Sequence, residues 1–208
     1  MIRDGFSAPD YLVFSHSLPY HLLLDKQNKG VLLVVLGHRT GFIHSDIRIG
    51  NLIVYNGNVY VIDYSSAIPV NILNHYQGCL STASNNILKI LDVNNSMSQA
   101  NEKIQLHYAD DGMSYLKMIL LLKEFFQKYS LLIKQAIADG MTCHILSTYE
   151  YAMDVLHEKN IVKTIRYLEK HRETLSMNDL NWIMIHTLRN ENQIDYDINE
   201  HLDRLSLS

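Results

Sequence analysis

Two short runs in which apolar positions alternate with less buried ones stand apart from an otherwise helical pattern. Leu52-Ile53-Val54-Tyr55 and Asn58-Val59-Tyr60-Val61-Ile62 are joined by Asn56-Gly57. Both turn residues tolerate the positive φ of a type I′ turn, so the pattern predicts a two-stranded hairpin. A hairpin brings its ends together, which makes Asn51, just before it, a neighbour of Asp63, just after it. Farther along, apolar residues recur at helical spacing, and all three Pro precede residue 70. The second half is therefore free to be almost continuously helical. Helices are predicted at 113–139, with a break near Ser130, and at 142–159, 161–174 and 178–189. Ser176, Asn178 and Asp179 supply a cap ahead of Leu180, Ile183 and Leu188. Trp182, the only Trp, is predicted to fill the core. The tail 190–208 is polar, with room for a short helix at 198–205. No internal repeat or low-complexity segment is present.

Composition narrows the function classes without choosing among them. A chain of 208 residues with 47% apolar and 19% charged side chains is ordinary for a globular protein, enough for one core or one domain with an appendage. The 18 basic and 22 acidic residues leave a net charge of −4, which argues against general nucleic-acid or anionic-membrane binding. Cys79 and Cys143 are the only two Cys; they give neither a disulfide framework nor metal-ligand spacing, as expected of a reducing, cytoplasmic compartment. Arg3 and Asp4 precede any apolar stretch, so no signal peptide is expected. The most apolar helical stretch, 115–133, is interrupted by Lys117, Lys123, Glu124 and Lys128, and reads as a core helix rather than a membrane span. Eleven His are scattered without H-E-x-x-H or Cys-His ligand spacing. His16, His21, His38, His75 and His107 are read as surface or turn residues.

The candidate chemistry surrounds the hairpin. His44, Asp46 and Asn51 form H-x-D-x-x-x-x-N, and Asp63 closes the second strand. One acceptor for a hydroxyl proton beside two oxygen ligands for a hard cation is what magnesium-dependent phosphoryl transfer requires. The H-x-D-x-x-x-x-N spacing alone arises often by chance; its coupling to a hairpin that ends in Asp makes it specific. The bland alternative is a surface hairpin whose Asp and Asn cap turns.

This pattern resembles the catalytic loop and metal-binding motif of the protein kinase-like superfamily. The resemblance implies that Asp46 accepts the substrate proton, that Arg48 reaches the transferring phosphate, and that Asn51 and Asp63 bind magnesium and, through it, ATP. It implies a structural role for His44, packing the loop against the metal-binding motif. Three positions depart from the pattern: Ser45 stands for the Arg after His, Arg48 for the usual Lys, and Asp63-Tyr64-Ser65 for D-F-G, which loses the glycine hinge. A second block, Gly78 with Ser81-Thr82-Ala83-Ser84, resembles the G-T-x-x-x-A-S segment of casein kinase I-like and fungal-type kinase-like sequences, with Cys79 in the Thr position and Asn85 in place of the Glu of A-P-E. His107 to Leu116 resembles their D-D-L-E-S-L. The resemblance makes Asp111 the buried Asp that binds the catalytic-loop backbone, while Asp110 and Asp111 also suit ordinary N-capping.

The resemblance covers roughly residues 11–135 and one lobe only. Residues 11–14 read as the strand that links the lobes, and 22–36 as the helix before the catalytic loop, interrupted by Asn28 and Gly30. Ahead of Asp46 there is no G-x-G-x-x-G, and Lys26 and Lys29 sit in a polar, turn-like stretch. The expected fold is mainly α, a kinase-like C-terminal lobe with a small β-hairpin carrying the site and the N-terminal lobe absent. Its parts would be a hinge-like start at 1–20, the catalytic-loop, activation-segment and core-helix region at 21–135, and helices at 136–208. The implied function is Mg-ATP-dependent phosphorylation of a Ser/Thr hydroxyl on a protein substrate, by a truncated kinase that is inactive alone or completed by a regulatory partner. Two alternatives stand beside it. One is a non-catalytic, pseudokinase-type module that binds protein. The other is a small-molecule kinase similar to the aminoglycoside and choline phosphotransferases, whose H-G-D-x-x-x-x-N and I-D-x-x-x-A patterns also match here through Ile62, Asp63 and Ala67.

Overall fold

A computed structural model describes residues 41–55, 58–93 and 103–190. The expected strand at 11–14, the helix at 22–36, Lys26, Lys29, the Asn56-Gly57 turn and the tail from 191 lie outside the described residues. Within them the protein is mainly helical, with three small antiparallel sheets of two strands each. Strand β1 (Phe42–Ile43), β2 (Leu52–Tyr55), β3 (Asn58–Val61), β4 (Ile68–Pro69), β5 (Leu73–His75) and β6 (Lys103–Gln105) pair as β1 with β4, β2 with β3 and β5 with β6. The β2–β3 register sets Leu52 opposite Val61 and Tyr55 opposite Asn58, as the alternation predicts.

Among the described residues six helices follow one another: α1 (Asn85–Val93), α2 (Tyr108–Leu122), α3 (Gln127–Ala138), α4 (Thr142–Val155), α5 (Asn160–Lys170) and α6 (Met177–Asn190). The centre is α2, in which every residue from Ala109 to Leu120 is buried. Its apolar side chains surround the axis rather than form one stripe, the mark of a helix enclosed on all sides. Each such Leu, Ile or Met gains about 1.5–3 kcal/mol by leaving water. Helices α5, α6 and α3 pack directly against it, and α4 packs on α3 and α1 and sets Tyr149 beside Lys117. Gly112 permits one of these contacts: a Cβ there would meet Leu180 Cδ1 of α6 at 2.9 Å. Among the described residues no helix is long and apolar enough to cross a membrane.

The helical pattern after 113 departs from expectation in one place that matters. The break falls at Lys123, which adopts φ −73° and ψ 136°, and not near Ser130, which is buried inside α3. Turning at Lys123 lets a single 3-10 turn, Glu124–Phe126, insert the fully buried Phe126 ring against Tyr129 and Tyr149. A polar Ser in the pattern was a poor marker of the turn, because its neighbours decide whether it is buried. The ends of α4 and α5, at Val155 and Lys170, also come before the expected 159 and 174. At α6 the predicted cap is present, with Ser176 Oγ accepting the Asp179 N–H (3.2 Å) and Asp179 accepting the Ser176 N–H (3.1 Å). Trp182 is half-buried, packed on the edge of the core and stacked on His186 at 4.0 Å.

Two charged groups lock the helices around α2. Asp110 caps α2 by accepting the His107 N–H at 2.8 Å, so His107 is the N-cap residue rather than a plain surface histidine. The same carboxylate accepts Arg172 Nη2 at 2.7 Å and Nε at 3.1 Å, and Ser84 Oγ at 2.7 Å. Arg172 also donates to the Gln105 carbonyl of β6 at 2.8 Å. Both ions of this pair are buried. Arg172→Ala leaves the carboxylate without its counter-ion, and such a loss costs about 3–5 kcal/mol. Urea unfolding of Arg172→Ala should show that deficit, and the Asp110→Asn/Arg172→Ala double variant should recover a large part of it; a single-variant loss below about 1 kcal/mol would contradict the buried pair.

Candidate active site on the catalytic loop

The loop from His44 to Asn51 is bent by a residue that carries a side chain. Ser45 has φ 64°, a left-handed conformation that costs a non-glycine residue free energy unless its surroundings hold it. The surroundings do hold it. Asp111, in the first turn of α2, accepts the His44 N–H with Oδ2 at 2.7 Å and the Ser45 N–H with Oδ1 at 2.9 Å. Ser45 Oγ donates to the Ser66 carbonyl at 2.6 Å. Ser66 Oγ returns the contact to the His44 carbonyl at 3.3 Å. Where the kinase pattern has Arg, this chain uses a short hydroxyl to tie the two loops together.

His44 links the same loops through its ring. Nε2 donates to the Ile62 carbonyl at 3.0 Å, and Nδ1 accepts the Asp46 N–H at 3.3 Å. The Nε2–H tautomer satisfies both contacts, an assignment made from the network. The ring is buried and meets Tyr64 edge-on at 4.7 Å. It is a fastener for the loop, as its role in the resemblance implies.

Asp46, Arg48 and Asn51 converge on one carboxylate. Asn51 Nδ2 donates to Asp46 Oδ2 at 2.7 Å and to the Asp46 carbonyl at 2.9 Å. Arg48 Nε donates to the same Oδ2 at 3.0 Å. Among the described residues nothing donates to Asp46 Oδ1, so one oxygen is anchored and the other is left to accept. The Asn51 amide nitrogen is spent on Asp46, which leaves its Oδ1 as the amide's remaining oxygen ligand. The Asn51 carbonyl accepts the Ile62 N–H at 2.8 Å, and Ile62 is the residue before Asp63. The hairpin thus returns the second acid to the first motif, as predicted.

Asp63 sits at that return in a left-handed conformation, φ 61° and ψ 69°. It is exposed, and its Oδ1 accepts Ser65 Oγ at 2.6 Å and the Ser65 N–H at 3.4 Å. The Ser65 hydroxyl and amide hold its carboxyl below the usual carboxylate range, with Arg48 and His44 adding a smaller pull. Ser65, standing for the glycine of D-F-G, fastens the acid instead of freeing the backbone.

The segment Cys79–Asn85 is fixed at most of its residues, to this loop, to α2 and to α4. Thr82 Oγ1 donates to the Ile47 carbonyl at 2.9 Å, and Tyr149 Oη of α4 donates to the Ser81 carbonyl at 2.5 Å. Lys117 of α2 donates to the Ala83 carbonyl at 2.7 Å and to Asn85 Oδ1 at 2.6 Å, and lies 4.0 Å over the Tyr149 ring. Gly78 is dictated by contact, since a Cβ there would stand 1.9 Å from the Ser45 carbonyl oxygen. Sequence reasoning placed Thr82 and Gly78 in a motif without seeing that they touch the catalytic loop. It missed Lys117 entirely, reading it as an interruption of an apolar helix, although a lone Lys inside Tyr115-Leu116-Lys117-Met118-Ile119-Leu120 is a signal in itself.

A scan against protein-family models finds no match for this chain, and a search of curated proteins finds none.

Two measurements test that geometry. Asp111→Ala strands two buried backbone N–H groups, each costing about 1–3 kcal/mol. The variant should lose amide-exchange protection at His44 and Ser45 before it loses it in α2, and unchanged protection there would remove Asp111 from its role. Burial lowers the Lys117 ammonium from 10.5 to about 7, with Glu169 and Asp110 pulling upward and Lys89 reinforcing the drop. Between these values the folded state binds fewer protons than the unfolded one, so the Lys117 contribution to stability rises with pH from about 7 toward 10.5. The unfolding free energy of the wild type minus that of Lys117→Met should climb across this window; a flat difference would show that Lys117 keeps its proton when buried.

Proposed function

We propose that this chain is the large lobe of a protein kinase-like phosphotransferase that acts on the Ser/Thr hydroxyl of a protein with Mg-ATP. The observation that carries the reading is the Asp46–Asn51–Ile62 chain of hydrogen bonds. It fixes one oxygen of a buried carboxylate and sets a second, ionised carboxylate one residue beyond the far end.

The residues fit the group they would have to hold. Magnesium prefers oxygen ligands, keeps several waters, and is usually bound by one or two carboxylates together with substrate phosphates. Asn51 Oδ1 and the Asp63 carboxylate are two such oxygens, and among the described residues no three His, Cys, Asp or Glu converge on a metal position. Bound Mg-ATP supplies the γ-phosphoryl group and the positive charge that offsets its oxygens. Asp46 Oδ1 accepts the proton of the incoming hydroxyl while Asn51 and Arg48 hold Oδ2 still. Most of the acceleration in such reactions comes from positioning and charge rather than from the base. The rigid loop beneath Asp46, fastened by Asp111 and Thr82, supports that positioning. Arg48, half-exposed beside Asp46, places a positive charge next to the reacting centre.

One observation favours a second reading, a non-catalytic module that binds protein. Arg48 and Ser65 already occupy oxygens of Asp46 and Asp63, as they would in a lobe kept for its shape. Nucleotide binding separates the two. Under the phosphotransferase reading, Mg-ATP raises the melting temperature of the wild type, because a ligand that binds only the folded state stabilises it. Asp63→Asn should abolish the magnesium dependence of that shift, and Asp46→Asn should keep the shift while removing transfer to a Ser/Thr substrate. No shift at millimolar Mg-ATP supports the binding module instead.

A further inference from the structure

A cavity of about 340 Å³ is lined by the end of α2, by α3 and by the Cys79–Thr82 segment. Its apolar lining comes from Met118, Leu121 and Leu122 of α2 and from Ile133 and Ile137 of α3. The volume falls at the small end of small-molecule sites, which run about 300–1,000 Å³. Such sites share a composition: mostly apolar walls, with a few polar groups that fix the ligand's orientation.

Two polar groups of the lining have no task in the fold. Ser130 is only 6% exposed, yet its hydroxyl makes no hydrogen bond among the described residues. A buried hydroxyl without a partner costs about 1–3 kcal/mol, so a group left open to a cavity points to a partner from outside the chain. Lys134, four residues on and therefore on the same face of α3, is exposed and makes no ion pair among the described residues. The other polar lining is committed. Thr82 Oγ1 donates to the Ile47 carbonyl, Cys79 Sγ and Ser81 Oγ lie 3.0 Å apart, and Arg48 Nε donates to Asp46.

One hydroxyl donor beside one ammonium, against aliphatic walls, is the complement of a single carboxylate on an apolar body. An amine would meet Lys134 and Arg48 with like charge. A sugar would leave hydroxyls unpartnered against Leu121 and Ile133, at a desolvation cost. Phosphate groups are more often met by Arg clusters than by one ammonium.

We propose that this cavity binds a small aliphatic monocarboxylate, with the carboxylate on the Ser130 hydroxyl and the Lys134 ammonium and the hydrocarbon against Met118, Leu121 and Ile133. The binding does not depend on the phosphotransferase reading. Arg48 alone belongs to both places, since it lines the cavity and bonds Asp46 at 3.0 Å. An anion held here would act on the candidate site through that guanidinium.

The two cysteines make the site measurable. Cys79 lines the cavity, and Cys143, on α4, is exposed and lines no part of it. Alkylation of both by iodoacetamide is followed by mass spectrometry on the full chain while octanoate is titrated in, with calorimetry of the same titration alongside. Octanoate should slow alkylation of Cys79 and leave Cys143 unchanged, and octylamine should protect neither. Ser130→Ala removes no hydrogen bond of the fold, and Lys134→Glu changes an exposed side chain, so both variants should fold. Each should weaken octanoate binding by about tenfold, equivalent to about 1.4 kcal/mol. Absence of both binding heat and Cys79 protection at millimolar octanoate overturns the proposal, as does equal protection of the two cysteines. Octan-1-ol binding as tightly as octanoate, or unchanged affinity in both variants, overturns the carboxylate assignment. The Mg-ATP thermal shift succeeds or fails separately, and its loss with octanoate binding intact would end the phosphotransferase reading alone.

Discussion

A carboxylate buried under a loop is an unusual place to spend two hydrogen bonds on backbone, yet the loop depends on Asp111 doing so. His44 and Ser45 both give their N–H groups to this one carboxylate, and Ser45 stands at positive φ between them and Asp46. Without an acceptor beneath them, two buried donors would go unmet, and the loop would relax toward ordinary backbone geometry. Helix α2, buried from Ala109 to Leu120, provides that acceptor from its first turn, so the geometry at Asp46 is inherited from the packed centre of the described structure. Precision at the site is a consequence of packing elsewhere.

The same logic extends through α2 along its length. Asp110 joins the segment before α1, the end of β6 and the Arg172 turn; Lys117, two turns on, holds the residues that follow Thr82. Three ionisable side chains of one buried helix thus fasten three different loops. Burying charge this way is costly unless each group is fully partnered; Asp111 takes two backbone N–H groups, Asp110 a backbone N–H, the Ser84 hydroxyl and the Arg172 guanidinium, and Lys117 the Ala83 carbonyl and the Asn85 amide oxygen. The arrangement gives the loops one conformation in preference to many. It also ties the His44–Ser45 and Ala83–Asn85 segments to one support.

How much of this was legible in the sequence follows from how local each signal is. The hairpin could be read because alternation and a favoured turn lie within a dozen positions, and the return of Asp63 toward Asn51 came with it. The α6 start could be read because Ser176 and Asp179 cap it three residues apart. The pairings of β1 with β4 and β5 with β6 were invisible, since two- and three-residue strands carry no period and their partners are distant in the chain. The turn at Lys123 was misplaced because nothing local forces it; the reward is the burial of Phe126. Lys117 was read only as an interruption of a core helix, and Arg172 drew no reading. A charged residue in a helical pattern reads as solvated until the element that covers it is known.

Ser45 and Ser65 show where departure from a pattern is itself informative. Each stands for a residue whose usual role is motion or regulation: an Arg that answers a phosphorylated loop, and a glycine that lets the metal-binding segment swing. Each here spends its hydroxyl on a fixed contact, Ser45 to the Ser66 carbonyl and Ser65 to the Asp63 carboxylate. Both substitutions act in the same direction, trading a switch for a clasp on the same pair of loops. A site assembled this way is held by fixed contacts between its two loops, and the residues that would let either loop move are replaced by residues that fasten it.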